Sequence, residues 1–263
     1  MEKKIAVVTG ASKGIGLRIA EVLLREGYDV FGFSRTVGKL EAVRWISCDV
    51  TDTDSVKESF QTVLKEAGKI DLLVCNAGIG ISGATEFTSE KDYQRQMDVN
   101  LLGAVRCTQQ VIEPMRTQKK GKIIFISSLA AIFPLPFQSF YSASKAGLNS
   151  FSDALGIEMK PFGVETCVVM LNDVKTEFTA NRKKTEVGDD IYGGRIQASV
   201  AKMEKSEQSG MTPETVAETV GGLLRRRKLP AHKIVGLSNE FLGLLYRILP
   251  SDFMLWLLGK IYG

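Results

Sequence analysis

Histidine and tryptophan are scarce in this sequence, with one and two copies in 263 residues, and cysteine occurs only four times. The carboxylates and the one histidine, His232, do not cluster at ligand spacings, so no metal is expected and His232 reads as a surface or packing residue. Cys48, Cys75, Cys107 and Cys167 follow neither a metal-like nor a paired spacing. Three of them sit in apolar runs, which suits small buried hydrophobes in a reducing compartment. No apolar stretch approaches the roughly 20 residues needed to span a bilayer. The first apolar run, Ile5 to Val8, is too short for a secretory segment, so a cytoplasmic location is expected. Charge of one sign is also lacking. The net charge is +4, and Lys and Arg are spread along the chain. The short basic run Arg225–Lys228 has no interleaved aromatics and reads as a solvated helix end, so no nucleic-acid partner is expected. Repeats, low-complexity tracts and Pro/Gly/Ser linkers are missing too, so residues 1–263 are read as one domain.

What is present is an alternation of short β-branched runs with longer amphipathic ones. That rhythm predicts an α/β fold, a doubly wound parallel sheet of about seven strands. The strands are placed at Ile5–Thr9, Val30–Phe33, Val43–Ser47, Leu72–Cys75, Lys122–Ser127, Glu165–Leu171 and Lys233–Val235. Helices are placed at Ile15–Arg25, Asp54–Glu66, Glu90–Met115, Tyr141–Met159 and Pro213–Arg226. Thr212 followed by Pro213 is a strong helix start, a capping hydroxyl before a proline at the first helical position.

The first strand runs into Thr9-Gly-Ala-Ser-Lys-Gly-Ile-Gly16 and then a helix. Gly10, Gly14 and Gly16 permit a tight turn, and with Ser12, Lys13 and Ile15 they would bring backbone close to a pyrophosphate at the helix N-terminus. The same pattern also describes a glycine-rich turn with no ligand. A site for NAD would carry an acidic residue after the second strand to hold the ribose 2′-hydroxyl. Here Ser34 and Arg35 stand there. A guanidinium can bind a 2′-phosphate, and Lys13 offers a second cation, so NADP(H) is favoured over NAD(H). Both residues could instead be ordinary solvated charges.

Tyr141 and Lys145 are four apart in a helical pattern and project from one face. A neighbouring ammonium would favour the phenolate and make Tyr141 a usable acid/base. Alone, the pair would usually be a surface pair. Ser128, however, ends a strand thirteen residues earlier, and Asn76-Ala77-Gly78 ends the strand before. Carboxyl ends of parallel strands are where ligands bind.

With Cys48-Asp49-Val50 and Asn100, these stretches resemble the short-chain dehydrogenase/reductases in family order over about residues 3 to 176. The resemblance implies a Rossmann fold and a hydride-transferring oxidoreductase. It makes Tyr141 the proton donor or acceptor and Lys145 the holder of the nicotinamide ribose, which also lowers the Tyr141 pKa. Ser128 would bond the reacting oxygen, in competition with Ser127, and Asn100 would anchor a water behind Lys145. Asp49 and Val50 would contact adenine, Asn76, Ala77 and Gly78 would lie beside the cofactor, and Val174 and Thr176 would reach the nicotinamide. Singly, Asn100 could be a solvent-facing helix residue and Asp49 a turn residue.

One departure stands out: Leu171-Asn172 replaces the family's Pro-Gly, which suggests a shifted hinge for the substrate loop. Residues 177–210 are read as a polar substrate lid. Residues 239–263 form an apolar tail broken at Pro250, open to four readings: a buried helix pair, a subunit interface, a cover over an apolar pocket, or an interfacial membrane anchor through 241–262. The lid and tail resemble the steroid, retinol and lipid-ketone branch, which implies a hydrophobic ketone or alcohol as substrate. A homodimer or homotetramer is implied by the same resemblance. The rivals are a β-ketoacyl thioester reductase, a non-catalytic NADP(H)-binding sensor or scaffold, and a membrane-surface interaction protein.

Overall fold

The computed structural model describes residues 3–262. The main-sheet strands are β1 (Lys4–Thr9), β2 (Tyr28–Ser34), β3 (Arg44–Ser47), β4 (Leu72–Cys75), β6 (Gly121–Ser128), β7 (Val164–Leu171) and β9 (His232–Ile234). They pair in the order β3-β2-β1-β4-β6-β7-β9, every pair parallel. The chain builds outward from β1 to β3, then crosses back to start the other half at β4. A crevice therefore opens at the carboxyl ends of β1 and β4, where the winding reverses.

The strands are buried on both faces, which is why they read as continuous apolar runs. Successive residues of β1 feed opposite layers. Ala6 and Val8 join Ile19, Leu23 and Val220, from helices α1 (Gly14–Arg25) and α8 (Pro213–Leu224). Ile5 and Val7 join Phe60, Val111, Leu148 and Leu155, from α2 (Thr53–Ala67), α4 (Gly103–Gln118) and α5 (Ser139–Met159). Thr212 caps α8 as expected, accepting a hydrogen bond from Thr215 N at 3.4 Å. All four cysteines are free and buried.

The expected helix Glu90–Met115 forms as one run from Glu90 to Gln118, widened within: α3 (Glu90–Met97) passes through a π-helical turn at Asp98–Leu102 into α4. The wider turn changes the facing of the residues within it, and such turns gather at functional sites. The region read as a polar lid is also more ordered than a loop. It holds α6 (Glu177–Ala180), the two-residue strand β8 (Lys183–Lys184) and α7 (Arg195–Gln208). Ile196, Val200 and Met203 of α7 are buried, at a helical spacing that was legible among the charges. β8 pairs in parallel with β5 (Ile81–Ser82), so the lid is tied by backbone hydrogen bonds to the segment leaving β4.

The tail forms α9 (Leu237–Ile248) and α10 (Ser251–Tyr262). Met254 packs with Leu129, Phe133, Val168 and Met170, and Tyr246 sets its ring edge-on to Phe133 at 5.0 Å. Among the described residues, no helix is long and apolar enough to cross a membrane.

Candidate active site

The crevice is a cleft of about 1130 Å³, with Gly10, Ser12, Lys13, Gly14 and Ile15 on one wall. Thr9 and Asn76 hold that wall in place. Thr9 Oγ1 accepts from Asn76 N at 3.0 Å and Ala77 N at 3.1 Å. Asn76 Nδ2 donates to Thr9 O at 3.0 Å and Gly10 O at 3.2 Å. Gly10 and Gly14 take φ of 63° and 56°, where a side chain would be strained. Gly16 does not line the cleft. A Cβ there would stand 2.3 Å from Gly10 O, so it is needed for close packing rather than for contact. α1 begins with no side-chain cap and no acidic residue in its first turn, which leaves its N–H groups open to an anion. These residues fit a dinucleotide pyrophosphate.

Farther along the same wall lie Ser34, Arg35, Asp49 and Val50. Asp49 Oδ1 accepts from Thr51 N at 3.0 Å and Thr51 Oγ1 at 2.8 Å. Burial pushes the Asp49 carboxyl up, but the Thr51 bonds and the charges of Arg35 and Arg95 outweigh it and the net shift is downward. Asp49 thus stays an acceptor, and Arg35 is exposed beside it. Lys13 Nζ pairs with Glu177 Oε2 at 3.0 Å, which links the glycine loop to the lid.

Tyr141, Lys145 and Ser128 meet at the centre of the cleft, with Ser127, Ala77 and Gly78 beside them. Lys145 is 5% exposed, and its Nζ donates to Ile126 O at 2.9 Å. Burial lowers its pKa to about 8, with Cys75 acting weakly the other way. Burial also pushes the Tyr141 phenol up to about 12; the Ser128 hydroxyl and Arg182 pull it down, while Glu207 adds to the rise. The expected lowering of Tyr141 by Lys145 is therefore not what this arrangement shows. Desolvation dominates both groups, and the ammonium is turned toward a backbone carbonyl, 5.9 Å from the Tyr141 ring centroid. A phenol that keeps its proton suits a donor.

Asn100, in the π-helical turn, is 1% exposed and does not face solvent. It accepts from Ile79 N at 2.8 Å and donates to Ile79 O at 3.0 Å and Ser144 Oγ at 3.1 Å. Ser144 in turn donates to Tyr141 O at 2.7 Å. Asn100 thus joins the segment after β4 to the turn of α5 that carries Tyr141 and Lys145. Ser128 Oγ accepts from Ala130 N at 3.1 Å, whereas the Ser127 hydroxyl is buried and has no hydrogen-bond partner.

Val174 and Thr176 line the cleft after β7. Thr176 Oγ1 caps α6 by accepting from Phe178 N at 3.1 Å, which sets the Phe178 ring 6.0 Å from that of Tyr141. The expected shifted hinge at Asn172 takes another form. Among the described non-glycine residues only Lys119 and Phe137 have positive φ, so the backbone at Asn172 asks for no glycine. Its side chain instead donates to Asn239 Oδ1 at 3.2 Å and ties the end of β7 to α9. Asn172→Gly is expected to raise KM for the carbonyl substrate about two- to tenfold, the worth of one such bond, and to leave KM for the cofactor unchanged. Steady-state kinetics check this, and unchanged constants would show that the tether does not shape the pocket.

The rest of the cleft has two characters. Leu135, Met203, Leu242, Met254, Leu257 and Leu258 make an apolar wall, half of it from α10. Asp173, Asn181 and Glu207 also line the cleft. Glu207 holds the buried Arg182 and accepts from Thr179 Oγ1 at 2.6 Å. Sequence reasoning missed Arg182 and Glu207, because charges in a polar segment look like any solvated surface until the lid is folded.

Residues 4–187 match the short chain dehydrogenase family model. The chain belongs to the short-chain dehydrogenase/reductase family and is an oxidoreductase. It is 36% identical over 242 residues to a 3-ketodihydrosphingosine reductase of Bacteroides thetaiotaomicron, covering 90% of this chain and 89% of that protein. It is 34% identical over 217 residues to the 3-oxoacyl-[acyl-carrier-protein] reductase MabA of Mycobacterium avium, covering 82% and 80%. An alcohol dehydrogenase from Thermococcus sibiricus, solved with 5-hydroxy-NADP, superposes with a TM-score of 0.74 at 26% identity, covering 89% of this chain and 96% of that one.

Proposed function

We propose that the chain is an NADPH-dependent reductase that turns a ketone on a long hydrophobic molecule into a secondary alcohol. One observation carries this reading. Tyr141 shares a single cleft with the glycine loop, with Lys13 and Arg35, and with an apolar wall built mostly by the tail. Bound NADPH would supply the hydride to the carbonyl carbon. Tyr141 Oη donates a proton to the carbonyl oxygen, and the Ser128 hydroxyl holds that oxygen in line. Lys145 would hold the ribose and would leave a positive charge close to the phenolate that remains. Asn100 keeps α5 in register with the segment after β4. Arg35 and Lys13 would receive the 2′-phosphate. The similarity to the Bacteroides reductase supports a long-chain keto-lipid, and the similarity to MabA supports a β-ketoacyl thioester as the second reading.

A panel of long-chain ketones, steroid ketones and β-ketoacyl thioesters with NADPH and NADH tests the assignment. Turnover of long-chain ketones with NADPH is expected, and turnover of thioesters alone would favour the second reading. In the same assay Arg35→Ala is expected to raise KM for NADPH about 10–100-fold, the loss of one charge-assisted bond, with KM for NADH unaffected. Equal losses with both cofactors would show that Arg35 does not read the phosphate.

A further inference from the structure

We infer that α9 and α10 dock the protein on an anionic lipid surface, with the mouth of the substrate cleft facing that surface. Nine of the fifteen exposed large apolar side chains among the described residues lie on these two helices, so the exposure is a patch and not scatter. Leu237 is 86% exposed, Phe241 60%, Ile248 69% and Trp256 58%. Phe253 and Trp256 stack at 5.9 Å on the outer side of α10. Aromatic pairs of this kind favour the boundary between headgroups and acyl chains.

The same helices have an inner side with a different task. Met254, Leu257 and Leu258 line the cleft, and Leu242 and Ile261 both line it and stand 41% and 38% exposed. Cleft and patch therefore meet at shared residues. A water-insoluble ketone could pass from a lipid layer into the pocket along an unbroken apolar path. That part of the inference rests on the reductase reading above.

Charge selects the lipid. Lys202 of α7 is exposed, and its Nζ reaches Ile261 O at 2.7 Å, at the end of α10 beside the mouth. Lys260 is exposed on the same turn. Among the described residues, the side-chain carboxylates of the tail do not oppose them there. Glu240 is held by Lys233, and Asp252 lies in the first turn of α10, at its other end. Such a rim favours anionic headgroups over neutral ones. A second copy of the chain has a separate face available, since Leu102 of the π-helical turn and Ile157 of α5 are 45% and 76% exposed.

The test is co-sedimentation of the full chain with phosphatidylglycerol vesicles and with phosphatidylcholine vesicles, with mass in solution read by light scattering. Phe241→Glu with Trp256→Glu replaces two outward side chains that do not line the cleft. Binding to phosphatidylglycerol is expected to exceed that to phosphatidylcholine and to weaken with salt. The double variant is expected to lose it by more than about tenfold, with unchanged mass and unchanged turnover of a short water-soluble ketone. Lys202→Gln with Lys260→Gln should lower binding to anionic vesicles only. Failure of the wild-type chain to bind phosphatidylglycerol vesicles overturns the inference, as does a double variant that still binds them. A double variant whose oligomer falls apart assigns the patch to a second copy and also overturns it. Vesicle binding without turnover of any ketone would leave the docking standing and remove the reductase reading.

Discussion

Tyr141→Phe is expected to lower kcat for NADPH-dependent ketone reduction by about 10²–10⁴-fold, the range for loss of one positioned proton donor. Affinity for NADPH should stay nearly unchanged. The substitution removes one oxygen from the centre of the cleft and leaves the glycine loop, the Thr9–Asn76 staple and the α1 N-terminus intact. Burial pushes the phenol up to about 12, which favours its protonated form. Single-turnover kinetics with fluorescence titration of NADPH separate the two effects. Equal turnover by the wild-type and Phe proteins would remove the proton-transfer role. No turnover by either, with NADPH bound by both, would favour the sensor or scaffold reading.

Lys145→Met is expected to lower kcat by a similar factor while changing stability in a pH-dependent way. Burial disfavours the ammonium, so the folded-state pKa, about 8, lies below the ordinary value of 10.5. The folded state therefore binds this proton less readily than the unfolded state. Stability present above about 10.5 is lost as pH falls through about 8, and the loss is complete at pH 7. Methionine removes the titration but leaves the Ile126 carbonyl without this donor, a fixed cost of about 1–3 kcal/mol. The melting temperature of the variant relative to wild type should thus be most favourable at pH 7 and decline toward pH 10. Scanning fluorimetry across that range checks the slope. A difference that does not change with pH would show that Lys145 is not held as a disfavoured ammonium.

Both expectations depend on residues already legible in the sequence. Gly10, Gly14, Ser128, Tyr141 and Lys145 could be found because strand–turn–helix chemistry is local and the pair is one helical turn apart. The strand positions were legible for a related reason. Two-sided burial writes each strand as a short apolar run, bounded by the turns that end it. Asn100 was placed as a residue, but its setting was not, since a π-helical turn leaves no mark in hydrophobic periodicity. Arg182 and Glu207 left no signal either. They matter because the lid folds back onto Tyr141, and a long-range contact has no local pattern. The α7 helix was a different kind of miss, since Ile196, Val200 and Met203 carried its period within a charged background.

By itself the sequence determined the parallel sheet, the glycine turn at its switch point, the lack of a carboxylate after β2, and the Tyr141/Lys145 pair. Each of these follows from short-range backbone and side-chain physics. The tertiary structure decided how that pair is held, with desolvation raising the phenol and lowering the ammonium. It decided that Gly16 serves packing and that Asn172 tethers the tail. It also divided the tail into a face that lines the cleft and a face that meets solvent. An apolar helix carries no record of which side it will bury, because that is set by the surfaces it packs against.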